Sequence, residues 1–248
     1  MIAGCIHENE GAMTAKELKR LYTGLFDKIG GADNRDVEHY ANRRPRTITR
    51  DTFFSKVPHA IWVAGMSAEA IQSFLKRAAA EGFDGDFRTL AAWNDRKFTA
   101  FIGRMHAKRP VPERAVSKWR AIRDIAVALG KLPNEEGFRK QFFGGKAESG
   151  RLNNSDKQRL VDQRLPFIGP GNAAFIIRSI GGETIKYDRW VLAFLRYYRL
   201  REAVLEALLK QASIPLGLFD IVLSTYCEAF VRRVGEFKSH FENDLAFT

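Results

Sequence analysis

Apolar residues recur along this chain at intervals of three and four, the helical period, while strand-like alternation is nearly absent. Thr14 and Glu17 form a capping box ahead of Leu18, Leu21, Leu25, Phe26 and Ile29, and Gly30-Gly31 ends that helix. Thr52 to Ala64, with Phe53, Phe54, Val57, Ile61, Trp62 and Val63, reads as one core helix; Gly65 breaks it. Ser67 can cap a following helix that carries Ala70, Ile71, Phe74 and Leu75. Further helical spacing marks Phe83 to Asp95, Arg96 to His106 and Ser117 to Leu129, the last with Trp119, Ile122, Ile125 and Ala126. Phe138, Phe142 and Phe143 lie within Leu132 to Gly150, and helices are expected over Leu200 to Leu209, Ile214 to Phe230 and Val231 to Leu245. Residues 1–12 read as loose and Ala32 to Arg50 as a polar linker, and no repeat or low-complexity tract is present. The pattern predicts an all-α fold.

The most informative stretch runs from Asn154 to Tyr198. Ser155 and Gln158 are spaced as a capping box, predicting a helix to about Arg164, and Pro166 stops it. A tight turn, Pro166-Phe167-Ile168-Gly169-Pro170-Gly171, leads to a second helix from about Asn172 to Gly181-Gly182. A third helix opens at Tyr187-Asp188, with Trp190, Val191, Phe194, Leu195 and Tyr198 on its apolar side. Gly169 and Gly171 lack a Cβ and so permit a phosphate to approach main-chain N–H groups, and the second helix adds its positive end. Such a contact positions DNA without reading its sequence. The same residues also fit an ordinary helical hairpin with a glycine-containing turn. Asp188, 19 residues after Gly169, fits both a helix N-cap and a catalytic carboxylate.

Charge sharpens the picture. The 248 residues carry a net charge of +11, with a pI near 9.8, which points to a polyanionic partner, nucleic acid before membrane. Length and a hydrophobic content of 45% suit a globular protein with a substantial core. Neither a signal peptide nor a run of about 20 apolar residues is evident, so a cytoplasmic protein without a membrane span is expected. Cys5 and Cys227 are the only cysteines, too few for a four-cysteine iron–sulfur cluster, and Cys5 with His7 is a poor basis for zinc. No metal or other cofactor is expected. Arg43-Arg44-Pro45-Arg46 offers charge to phosphate or simply to water, and Gly144-Gly145-Lys146 lacks the GxxxxGK[ST] pattern of a phosphate loop.

LPFIGPGNAAFII followed by a glycine-ended helix and KYDRW resembles the helix-hairpin-helix DNA glycosylases, with their hairpin of the form LPGxGxxTA and a downstream aspartate. Leu165, Pro166, Gly169 and Ala173 fall on matching hairpin positions, and Phe167 replaces the first glycine. VAGMSAEAIQSFLKR is similar in part to bacterial 3-methyladenine glycosylases, although Ala60 and Ala68 stand where those carry glutamate and tryptophan. The resemblance implies a two-lobed helical fold: residues 1–51 and 189–248 in one lobe, 52–188 in the other. It implies that Asp188 is the catalytic residue and that double-stranded DNA bearing a damaged base is the substrate of a monomeric protein. Gly171 occupies the position of the nucleophilic lysine of bifunctional members, so the resemblance implies base release without lyase chemistry. DNA contacts are expected at Phe167, Gly169, Gly171, Asn172, Lys186 and Arg189, with Met66 as a candidate wedge. Trp62, Tyr187 and Trp190 are candidates for the base pocket, and aromatics of a helical protein also fit its core. A non-catalytic DNA-binding module and a helical protein unconnected to nucleic acid are the other readings.

Overall fold

A computed structural model of the chain describes residues 13–63, 66, 68–106, 112–231 and 234–237. The described residues are all-helical and contain no strand; an isolated antiparallel bridge joins Thr47 and Glu148. The chain divides into two compact units, one formed by Met1–Asn42 with Tyr187–Thr248, the other by Arg43–Lys186. The continuous unit thus takes in Arg43 to Asp51, and the discontinuous one Tyr187 and Asp188. Long-range bonds explain the first of these boundaries. Arg43 donates to the Gly182 carbonyl at 2.7 Å and pairs with Glu183, while Ile48 N–H donates to the Ala147 carbonyl at 2.7 Å.

The discontinuous unit begins with α1 (Ala15–Lys28), capped by the Thr14–Glu17 box that its sequence predicts, with Leu18, Leu21 and Leu25 buried. The expected polar linker instead holds α2 (Arg35–Ala41), because Asn34 caps the N–H groups of Asp36 and Val37 while Val37 and Tyr40 are buried. The unit is completed by α12 (Arg189–Tyr197), α13 (Glu202–Gln211) and α14 (Leu216–Tyr226). Phe194 and Phe219 meet edge-to-face at 5.2 Å in its core. After α14 come a π-helical turn over Cys227–Val231 and a 3-10 turn over Val234–Glu236; the rest of the helix expected to Leu245 lies outside the described residues, as do residues 1–12.

In the continuous unit the single helix expected over Thr52 to Ala64 is two, α3 (Arg50–Phe54) and α4 (Val57–Val63). Thr49 caps the first, earlier than expected. Pro58 stands in the opening turn of the second, where it has no N–H to give to the carbonyl of Phe54, so the helix cannot run through. Then follow α5 (Ala68–Ala80), α6 (Phe87–Ala91), α7 (Asp95–Met105) and α8 (Glu113–Gly130), the last starting a turn before its expected Ser117 because Pro112 sits at its N-cap. α9 (Glu135–Phe143) ends on Gly144, whose φ of +59° suits glycine. Two aromatic clusters fill the core. Phe53 packs with Phe138, Phe142 and Phe143, and Trp119 with Trp62, Phe74, Phe83 and Phe101.

Two more helices, α10 (Asn154–Asp162) and α11 (Pro170–Ser179), form a hairpin against this core. The capping box of α10 is Asn153–Asp156, not Ser155–Gln158. The extended backbone at Asn153 lets its side chain accept from Ser155 N–H at 2.9 Å, while the Asp156 carboxylate accepts from Asn153 N–H at 2.9 Å. Asp156 is buried and also takes the Lys146 ammonium at 2.6 Å, a pairing outside the reach of any local rule. Gln158 instead bonds Asp162 within the helix. At the far end of α11, Gly182 is packed so closely that a Cβ there would lie 2.5 Å from Ile177 Cγ2 and 2.8 Å from Leu152 Cβ. Replacing Gly182 by Ala should destabilise the protein by about 1–3 kcal/mol through overpacking, read as a lower denaturant midpoint at unchanged slope.

Candidate nucleic-acid interface and carboxylate site

The connection between α10 and α11 is built from two left-handed residues that are not glycine. Arg164, at φ +52°, reverses the chain after α10. Across Leu165 to Ile168 the turn is closed by Ile168 N–H donating to the Leu165 carbonyl at 3.0 Å, with Pro166 second and Phe167, at φ +62°, third. Proline followed by a positive φ is the pattern of a type II turn, whose third position favours glycine. Phe167 adopts that conformation with a Cβ in place, and the residue remains 43% exposed. Ile168 faces the other way and is buried in the core.

The same tip is braced from α11. Asn172 Nδ2 donates to the Phe167 carbonyl at 2.7 Å. Gly169 is the N-cap and its carbonyl accepts from Ala173 N–H at 2.9 Å, so α11 begins at Pro170, two residues ahead of the expected Asn172. Proline at the first position is at home there, since that N–H would have no partner in the helix. A Cβ built on Gly169 would meet nothing within 4 Å; the protein itself gives no packing reason for a glycine at this position. A Cβ on Gly171 would lie 3.8 Å from Lys186 Cε, so the structure brings Lys186 beside the first turn of α11, fifteen positions along the chain from Gly171.

Charge is divided unevenly between the units. Arg43–Lys186 contains 27 Lys and Arg against 14 Asp and Glu, a net +13; the remaining residues contain 13 against 15, a net −2. Among the described residues, seven of the continuous unit's acids are already engaged by its own cations: Glu183, Glu135, Asp51, Asp86, Glu81, Asp95 and Asp156. Elsewhere like charges stand together. Burial and the Arg46 guanidinium hold Lys56 below its ordinary pKa, and burial and Lys56 do the same to His59, whose ring stacks on Phe175 of α11 at 5.4 Å. Burial and Arg77 lower His106, while burial and Arg114 lower Lys118, which lies 4.7 Å over the Trp62 ring. Cations kept close to cations raise the positive potential that a polyanion would relieve.

The carboxylate stands in the discontinuous unit. Asp188 is the N-cap of α12, its Oδ1 accepting from Trp190 N–H at 2.9 Å and Val191 N–H at 3.3 Å, and the residue is half-buried. Tyr187 O–H donates to Glu206 Oε1 of α13 at 2.6 Å. Burial first, then that bond, push the Tyr187 hydroxyl's pKa up, so it remains a donor. Cys227 is a free, buried thiol whose pKa is raised by burial and then by the nearby Asp188 carboxylate. Arg189 is exposed, with its guanidinium 4.7 Å over the Trp190 ring.

The named residues therefore fall into distinct settings. Phe167, Gly169, Gly171, Asn172 and Lys186 gather at the hairpin tip of the continuous unit. Met66 is half-buried against that unit's core, and Trp62 is within the core. Ala64, Gly65, Ser67 and the side chain of Ala68 lie outside what the structure describes, as does Cys5. Tyr187, Asp188 and Arg189 gather at the start of α12, and Trp190 is fully buried below them. Sequence spacing missed the Lys118–Trp62 contact and the Tyr187–Glu206 bond, which join residues far apart in the chain. Pro166 did carry a signal for a turn, whereas Phe167 gave none for its left-handed third position. Among the described residues no group of three His, Cys, Asp or Glu is placed to hold a metal, and no single helix is long and apolar enough to cross a membrane. No protein-family model, curated protein or solved structure matches this chain.

Glycine at 167 should be more stable than alanine by about 1 kcal/mol, the reverse of their usual order, because only glycine takes the left-handed turn without strain; urea unfolding of Phe167→Gly and Phe167→Ala measures the difference. The lowered pKa values of His59 and His106 mean that the unfolded chain binds more protons than the folded one around their ordinary value. Their contribution to stability is then complete above about pH 6.5 and declines as pH falls below it. Urea midpoints taken between pH 7.5 and 5 should fall on acidification, and His59→Gln should flatten that fall.

Proposed function

We propose that this chain is a monofunctional DNA glycosylase, which hydrolyses the N-glycosidic bond of a damaged base and leaves the strand intact. The supporting observation is the hairpin tip: a glycine with open space above it, a helix N-terminus and Lys186 beside it, on a unit of net charge +13. That combination suits a phosphate held by main-chain N–H groups and an ammonium. It also gives a physical role to the turn in which this chain resembles the helix-hairpin-helix glycosylases. The two-lobed fold of that family is part of the same proposal.

In this reading Asp188 supplies the chemistry. As the bond between C1′ and the base breaks, positive charge develops on the sugar, and a carboxylate stabilises it and orients the attacking water. The water oxygen bonds to C1′, the base departs with the bonding electrons, and a proton from the water ends on the base. The two N–H groups of α12 that Asp188 accepts keep its carboxylate oriented. The base must first leave the duplex stack, at a cost of a few kcal/mol, so mismatched or chemically damaged bases are the favoured substrates. Alkylated bases are the first class to examine, given the partial likeness to methyladenine glycosylases. A cytoplasmic, monomeric protein working on duplex DNA without a cofactor completes the proposal.

A second reading, a DNA-binding module without catalysis, is favoured by the capping role that Asp188 already fills. Asp188→Asn separates the two, because asparagine caps a helix about as well as aspartate but carries no charge. On duplexes bearing alkylated, oxidised or deaminated bases, the wild type should release free base and leave alkali-labile abasic sites. Asp188→Asn should lower that rate by at least about 100-fold with DNA affinity largely kept. Release at the wild-type rate by the variant removes Asp188 from catalysis, and binding without release from any lesion establishes the second reading.

A further inference from the structure

The side chain of Phe167 has no evident use within the fold. It is a large hydrophobic residue 43% exposed, it makes no ring contact among the described residues, and it occupies a φ of +62° that glycine would take at less strain. The turn nonetheless holds it outward firmly. Its carbonyl is clamped by Asn172 Nδ2 at 2.7 Å, the next N–H closes the turn, and Ile168 anchors the tip in the core. Two residues on, the open space at Gly169 leaves room for a close approach, with Lys186 beside Gly171. An anion-seeking tip that also displays an exposed aromatic ring on a braced backbone fits a partner with phosphates and flat apolar faces in alternation. A nucleic-acid strand has that chemistry, whereas a plain anionic surface offers nothing to the ring.

We propose that Phe167 is a strand-contact residue, its ring packing on the sugar or base face next to the phosphate received by the N-terminus of α11. The fold gives up turn stability to present it, and the gain appears only on binding. This inference rests on the DNA reading of the hairpin, and it adds a side-chain contact to a grip otherwise made by main chain and charge. The ring contributes affinity without touching a phosphate, so it acts on the strength of binding and not on its salt dependence.

Titration of a fluorescent duplex with the full chain, followed by anisotropy at several salt concentrations, tests it. Phe167→Gly should bind at least about 5-fold more weakly than the wild type, as expected for loss of one stacking contact, with the slope of log affinity against log salt unchanged. Phe167→Tyr, which keeps the ring, should bind within about 2-fold of the wild type. A thermal melt of each variant accompanies the titration; should Phe167→Gly melt early, Phe167→Asn, whose side chain tolerates the left-handed turn, takes its place. A wild type that binds with salt sensitivity while the glycine or asparagine variant binds equally well overturns the role of Phe167 and leaves the DNA reading standing. A wild type that shows no binding at low salt removes both.

Discussion

The turn from Leu165 to Ile168 is the constraint on which the candidate interface depends. One hydrogen bond closes it, and in the form the chain adopts its third residue, Phe167, is left-handed. If the turn opened, Ile168 would leave the core and the first turn of α11 would lose its alignment with Lys186. The turn can bear a strained residue because both arms are fixed elsewhere. Asp156 and Lys146 hold the start of α10, while the tight seat of Gly182 holds the chain after α11. Strain at one residue is tolerated where its surroundings over-determine it.

Electrostatics and packing divide the labour between the two units. Buried aromatic clusters give the continuous unit enough apolar burial to tolerate a net +13, including a lysine 4% exposed against the face of Trp62. Self-repulsion on that scale works against a compact state and favours any polyanion that neutralises it. The discontinuous unit is close to neutral and carries the capped carboxylate at the head of α12. Asp188 is thus placed by the ordinary rule that aspartate caps helices. A role in bond cleavage would use an orientation that folding has already set.

Local features were largely legible in the residues themselves. The Thr14–Glu17 box and the glycine-ended α11 follow from bonds made within four or five positions, which neighbouring side chains determine on their own. Local rules mislead where two signals compete. Asn153 outdid Ser155 as the cap of α10 because the buried Asp156 answered it with Lys146, and Pro58 split a hydrophobic run that periodicity alone would continue. Asn34 started a helix in a stretch that looked polar because Val37 and Tyr40 find a core supplied by distant segments.

The residues by themselves determined the all-helical character, the hairpin with its glycine-bearing tip, the aspartate at the head of the next helix, and the excess of positive charge. Tertiary structure alone decided that the charge is concentrated in one unit, that Lys186 stands over Gly171, that Trp190 is core, and that Phe167 is held out to solvent. The physical reason is range. Caps, turns and helical period act over a few residues, whereas Arg43 meets Glu183 across 140 positions only because the helices between them pack as they do.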